Sequence, residues 1–194
     1  MNLFQFIKDL MRSKTRIDTV ESRRAGLLSQ PVPGARVEID KRSASHINHL
    51  DTHFQDNARQ FLGAAKVVAA EFGCDYIIIS GTRTWAEQDA LYAQGRFKAG
   101  KVVTKAKAGH SNHNFGVAFD CGVFKSGKYL DDLDPHLASR VHRACAVLAE
   151  KHGLAWGGKW TFKDEPHYQL ASVPSSPTEA MRVAYRKNGS IFTA

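Results

Sequence analysis

At 194 residues the chain is long enough for one domain with its own core, and 43% apolar with 24% charged residues excludes a disordered or fibrous protein. No apolar run approaches the ~20 residues that cross a bilayer. The net charge of +8 points to an anionic partner such as nucleic acid, a membrane surface or a polyanionic cell wall, without choosing among them.

In chain order, Leu3, Phe6, Ile7, Leu10 and Met11 share one helical face, which predicts a short helix docked on the body. Lys8 and Asp9 interrupt its apolar residues and no small-residue cleavage site follows, so no signal peptide is expected. Residues 13–42 are rich in Arg, Lys, Ser, Pro and Gly and read as an irregular basic arm. The expected organisation is therefore 1–42 as helix and arm, and 43–194 as the main domain. From about Asp51 to Phe72 apolar residues recur at helical spacing, and Gly73 supplies a stop. Asp75–Ser80 is short, β-branched and continuous, which predicts a buried strand. Thr84 and Glu87 have the spacing of a capping box opening a helix that ends at Gly95. Arg83 then stands on the turn between strand and helix, either as an ordinary surface arginine or aiming its fork at a carboxylate or a developing oxyanion.

Residues 96–112, with Lys98, Lys101, Lys105 and Lys107, read as a long basic loop. Phe115–Phe124 is expected as a strand, Lys125–Lys128 as a hairpin turn, and Asp134-Pro135 as the cap and first position of a helix ending at Gly153. Leu154–Trp160 and Pro166–Leu170 are expected as the last strands. Ser176 to Glu179 has a second capping-box spacing, for a helix stopping near Gly189. Strands and helices mixed without regular alternation predict an α+β fold. Cys74, Cys121 and Cys145 form no CxxC pair, which suits buried thiols in a protein made in a reducing compartment.

The chemistry concentrates in Gly109–Gly122 and Trp160–Leu170. His113, Asp120 and His167 have the composition of a three-ligand zinc site whose fourth position is open to water. Each alone is more often a structural residue. His113 and Asp120 are seven apart, an odd spacing that would put them on opposite faces of a straight strand. Both can reach one ion only if His113 precedes the strand and the chain bends near Gly116. Cys121 beside Asp120 could look like a fourth ligand, but neighbours on a strand point to opposite faces, which argues against it. Zinc would lower the pKa of its water from ~15.7 to about 7. A base must then move the proton to the leaving amine, and Asp164 and Glu165 are the candidates near His167. Strand alternation favours Glu165, although Pro166 restricts the backbone there.

Ser111-Asn-His-Asn-Phe-Gly-Val-Ala-Phe-Asp120 resembles the Ser-x-His-x-x-Gly-x-Ala-x-Asp signature of the zinc D-alanyl-D-alanine carboxypeptidases and L-alanyl-D-glutamate peptidases. Three further blocks resemble the phage endolysin branch of that family: Gly81–Gln88, Ala90–Arg96, and Trp156–Trp160 followed by Phe162–His167. The resemblance covers about Asp75 to Leu170. It implies a hedgehog/DD-peptidase-like fold, a small mostly antiparallel sheet with helices packed around it. It also implies one Zn²⁺ per chain held by His113, Asp120 and His167. The catalytic carboxylate, three residues before the late histidine, falls on Asp164 rather than Glu165. Arg83 matches the family arginine that holds a substrate carboxylate or stabilises the oxyanion, and Gln88 and Ser111 match positions lining the substrate cleft. Gln169 replaces a glutamate common after the late ligand, and His110 replaces a neutral polar residue.

The resemblance implies hydrolysis of peptidoglycan stem peptides at the L-alanyl-D-glutamate bond by a phage or prophage endolysin, made in the cytoplasm and acting on the wall after release. The alternative within the same chemistry is a D-alanyl-D-alanine carboxypeptidase or dipeptidase. A monomer is expected, with electrostatic contact to an anionic envelope and no specific nucleic acid. A His-Asn-His nuclease needs its residues spread over a ββα unit of ~30 residues, whereas His110–Asn114 is one cluster. A catalytically silent, zinc-stabilised binding module is the third class.

Overall fold

The computed structural model describes residues 37–192; the helix expected near the N-terminus, and the arm as far as residue 36, lie outside them. Asp40 accepts a hydrogen bond from the Ser43 amide at 2.8 Å and starts α1 (Lys41–Asn48), so residues 41 and 42 are helix rather than irregular arm. Asp51 caps α2 (Thr52–Ala70), whose buried face carries Phe54, Ala58, Phe61, Leu62, Ala65, Val68 and Ala69 at the spacing the sequence shows. β1 is Asp75–Ser80. α3 (Trp85–Ala93) opens on the Thr84–Glu87 capping box, with both reciprocal hydrogen bonds formed.

A 3₁₀ turn, Asn112–Phe115, precedes β2 (Ala118–Lys125). The strand expected from Phe115 thus begins three residues later, because Gly116 at φ +68° reverses the chain first. β3 (Lys128–Tyr129) pairs back on β2 through Ser126 and Gly127, at φ 50° and 74°, the positive values a two-residue hairpin demands. α4 (Leu130–Leu133) is short; α5 (Pro135–Ala146) takes Asp134 as cap and Pro135 at its first position. β4 is Leu154–Trp156, shorter than expected because a 3₁₀ turn at Gly157–Lys159 follows. β5 (His167–Leu170) and α6 (Glu179–Asn188) complete the described elements. Thr178, not Ser176, caps α6, since Arg182 holds both the Glu179 carboxylate and the Pro177 carbonyl and draws Glu179 away from a capping box.

The strands form an antiparallel sheet in the order β1-β2-β5-β4, with β3 against β2. This is an α+β fold with a small antiparallel sheet. α2 and α5 cover one face, where Phe61 stands 4.5 Å from the Tyr168 ring and Phe119 stacks on Tyr168 at 5.7 Å. Tyr76, Ile78, Cys121 and Val123 fill the same buried layer, and all three cysteines are free thiols within the protein. Alternation then obliges Asp120, His167 and Gln169 to point to the opposite face.

Candidate metal centre

Register builds the site. In the β2–β5 pairing Asp120 lies directly opposite His167, and in the β1–β2 pairing Ser80 lies opposite Asp120. Ser80, Asp120 and His167 therefore form a row across three strands on one face. A bulge between Ile78 and Ser80 is what brings Ser80 into that row. His113 arrives from outside the sheet on the 3₁₀ turn. Gly116 makes this possible: besides its positive φ, a Cβ there would stand 2.7 Å from the Asp51 amide nitrogen, which donates to the Gly116 carbonyl at 2.9 Å. Asn114 ties the turn down, accepting from the Gly109 amide and donating to the Arg83 and Thr84 carbonyls.

His113 Nε2, Asp120 Oδ1 and His167 Nδ1 converge in a near-equilateral triangle, with separations of 3.3, 3.2 and 3.3 Å. Ligands at ~2.0–2.1 Å around a tetrahedral ion stand roughly 3.3 Å apart, so the triangle has the size of a zinc face. The outward nitrogens are already committed. His113 Nδ1 meets the Gly81 carbonyl at 2.7 Å, and His167 Nε2 meets Gln169 Oε1 at 3.3 Å. Both partners are acceptors, so both rings carry their proton on the outward nitrogen and turn a lone pair inward. The Gln169 amide is oriented in turn, because Oε1 also accepts from Asn112 Nδ2 at 2.9 Å and Nε2 donates to the Pro174 carbonyl at 3.2 Å. Two imidazole lone pairs and a carboxylate oxygen aimed at one buried point repel one another unless a cation lies between them. The residues therefore fit a divalent ion, and the donor set suits zinc.

The electrostatics reflect the same concentration of negative charge. Burial would raise the Asp120 carboxyl, but His113 and His167 hold it well below the usual carboxylate range. Burial lowers His113 and outweighs the pull of Asp120, which keeps that imidazole neutral. For His167, burial acts downward, yet the Asp120 and Asp164 carboxylates together raise it. Asp120 Oδ2 accepts from Arg83 Nη2, while Arg83 Nε and Nη2 both donate to Ser80 Oγ, at 3.1 and 2.8 Å. Arg83 thus aims its fork at a carboxylate, as its place on the turn allowed, and that carboxylate is the triangle's own Asp120; it also lines the cleft above it.

That cleft has a volume of about 680 Å³ and includes the triangle, Ser111, Asp164 and Trp160, whose ring centroid lies 4.9 Å from that of His167. Asp164 is open to the cleft mouth; crowding by the surrounding wall and the Asp120 charge raise its carboxyl above the ordinary value. Glu165 turns the other way and accepts from Arg143 Nε at 3.0 Å. Gln88 does not face the cleft. It is fully buried, and its Nε2 donates to the Ala106 carbonyl at 2.9 Å, anchoring the loop that forms one wall.

A sequence profile described as D-alanyl-D-alanine carboxypeptidase matches residues 104–170, which span the triangle and Asp164. The chain is also 39% identical over 117 residues, 58% of its length and 70% of the relative's, to the peptidoglycan L-alanyl-D-glutamate endopeptidase CwlK of Bacillus subtilis (strain 168). The chain belongs to the D-alanyl-D-alanine carboxypeptidase family. It is thereby a metallopeptidase by family, and its His113–Asp120–His167 triangle is the candidate metal centre of that family member. Two solved structures are more distantly similar. The L-Ala D-Glu endopeptidase ChiX of Serratia marcescens is 18% identical with a TM-score of 0.42, over 70% of this chain and 90% of ChiX. A mutant of the vancomycin-resistance D,D-pentapeptidase VanY, in complex with Zn(II), is 17% identical with a TM-score of 0.44, over 83% of this chain and 90% of VanY.

Proposed function

We propose that the protein is a zinc-dependent hydrolase of peptidoglycan stem peptides, that it cuts the L-alanyl-D-glutamate bond, and that it serves as a phage or prophage endolysin. The observation that carries the peptidase reading is the inward convergence of three locked lone pairs beside a free carboxylate, Asp164. The bond assignment draws on the activity named for CwlK, and the lytic role on the resemblance of Gly81–Gln88, Ala90–Arg96 and Trp156–His167 to endolysin sequences. A net charge of +8 suits an anionic wall polymer.

In this reading His113, Asp120 and His167 hold the ion, with the Gly81 carbonyl, Gln169 and Arg83 fixing the three ligands from behind. Zinc, when bound, supplies Lewis acidity and makes its water acidic enough to yield hydroxide near neutral pH. Asp164 takes the proton of the attacking water and delivers it to the departing amine nitrogen. As a carboxylate on the cleft, unpaired among the described residues, it is free for this double duty. Arg83, which lines the cleft, supplies positive charge for the oxygen on which negative charge develops.

Purified protein incubated with defined stem peptides, with products identified by mass, tests the reading. Free L-alanine-terminated and D-glutamate-started fragments support the endopeptidase assignment. Release of terminal D-alanine instead assigns the D,D-carboxypeptidase or dipeptidase chemistry, and no cleavage in the presence of zinc overturns both.

A further inference from the structure

The cleft has two flanking segments outside the metal centre, residues 102–106 and 160–163. Phe162 is 74% exposed and contributes nothing to the core, yet Lys105 Nζ sits 3.7 Å above the centre of its ring, reaching from one segment to the other. The backbone beneath Lys105 is anchored. Buried Gln88 donates to the Ala106 carbonyl and toward Thr104 Oγ1, and Arg96 Nη1 donates to the Thr104 carbonyl at 2.9 Å. Lys163, also on the cleft wall, lies next to Phe162 in sequence. Among the described residues neither lysine has a carboxylate within ion-pairing distance. The carboxylates on the cleft, Asp120 and Asp164, both belong to the metal centre.

We propose that Lys105, with Lys163 on the opposite segment of the same cleft, forms a cationic subsite on the outer wall that takes a free carboxylate of the substrate peptide away from the bond being cut. This rests on the peptidase reading and adds a substrate class to it: peptides bearing an unamidated carboxylate outside the scissile bond. A cation over an exposed ring is held more weakly than one hydrogen-bonded to a carboxylate, so the ammonium leaves Phe162 when such a group enters. The vacated ring then backs the peptide as an apolar wall. An anchored backbone under a free side chain loses little order in the exchange.

The test compares two matched stem peptides, one with its free carboxylates and one with those carboxylates amidated, at low salt. The wild-type protein is expected to favour the acid by about tenfold in kcat/KM, expressed in KM, as one charge-assisted contact would give. Lys105→Gln combined with Lys163→Gln is expected to bring the acid-to-amide ratio close to one by raising KM for the acid, while Lys105→Arg keeps the preference. A wild-type preference below twofold, or a preference that survives the double substitution, overturns the subsite and leaves the peptidase reading standing. If the wild-type protein cleaves neither peptide, the peptidase reading fails and the subsite fails with it.

Discussion

Asp164 and Glu165 are neighbours in sequence with opposite environments. Asp164 lies on the cleft with its carboxyl raised, whereas hydrogen bonds from Ser139 and Arg143, working against burial, hold Glu165 below its usual value. Asp164→Ala is expected to reduce kcat by ~10²-fold or more at unchanged metal content, while Glu165→Ala stays within a few-fold of wild type. Steady-state kinetics with metal analysis on the same samples decide it, and the reverse pattern assigns the base to Glu165. Gln169 answers a question its own sequence raised. An uncharged amide in place of a carboxylate still accepts from His167 Nε2, because Asn112 and the Pro174 carbonyl hold it in the accepting orientation. Gln169→Ala should weaken metal affinity by ~10–100-fold, read by competition with a chelator of known affinity. An affinity equal to wild type would show that His167 needs no such partner.

At the scale of elements, the 3₁₀ turn between the basic loop and β2 decides whether His113 meets Asp120 at all. Gly116→Ala forces a left-handed residue and sets a methyl group against the Asp51 amide. The substitution should cost about 1–3 kcal/mol from backbone strain and also lower metal affinity. Urea unfolding of the metal-free protein gives the first quantity and chelator competition the second; a neutral result in both would mean that the turn tolerates a side chain. How much of this was legible beforehand differs between elements. The need for a bend near Gly116 followed from the odd spacing of His113 and Asp120. The face of α2 followed from its periodicity, and the start of α3 from Thr84 and Glu87. The bulge in β1 left no trace, since a continuous run of isoleucines looks alike with or without an extra residue. Alternation also misjudged Glu165, because the backbone before His167 is not strand: a turn at Gly157–Lys159 and the bonds from Asp164 and His167 amides to nearby carbonyls curl it. Gln88 was misplaced for a different reason. A motif marks that a side chain matters, not whether it touches substrate or holds the loop that does.

Across the whole molecule, acid sensitivity should trace partly to a carboxylate that is not a metal ligand. Burial would raise Asp51, but the Ser190 hydroxyl and the His53 amide outweigh it and leave its pKa lowered. A depressed folded-state pKa contributes stability that is fully present above the unfolded value of ~3.9 and disappears as pH falls through the folded value. Asp51→Asn should therefore flatten the fall in melting temperature below about pH 4 relative to wild type. Parallel melting curves would contradict the assignment. The larger dependence is on the cation itself, since β2, β5 and the 3₁₀ turn each supply one ligand and repel one another without it. Metal content per chain, measured on protein purified without added metal, tests this most directly. One equivalent of zinc in the wild type and almost none in His113→Ala, Asp120→Ala and His167→Ala is the expected result. Wild-type protein lacking a stoichiometric divalent ion, or variants that retain it in full, would contradict a centre built from these three side chains.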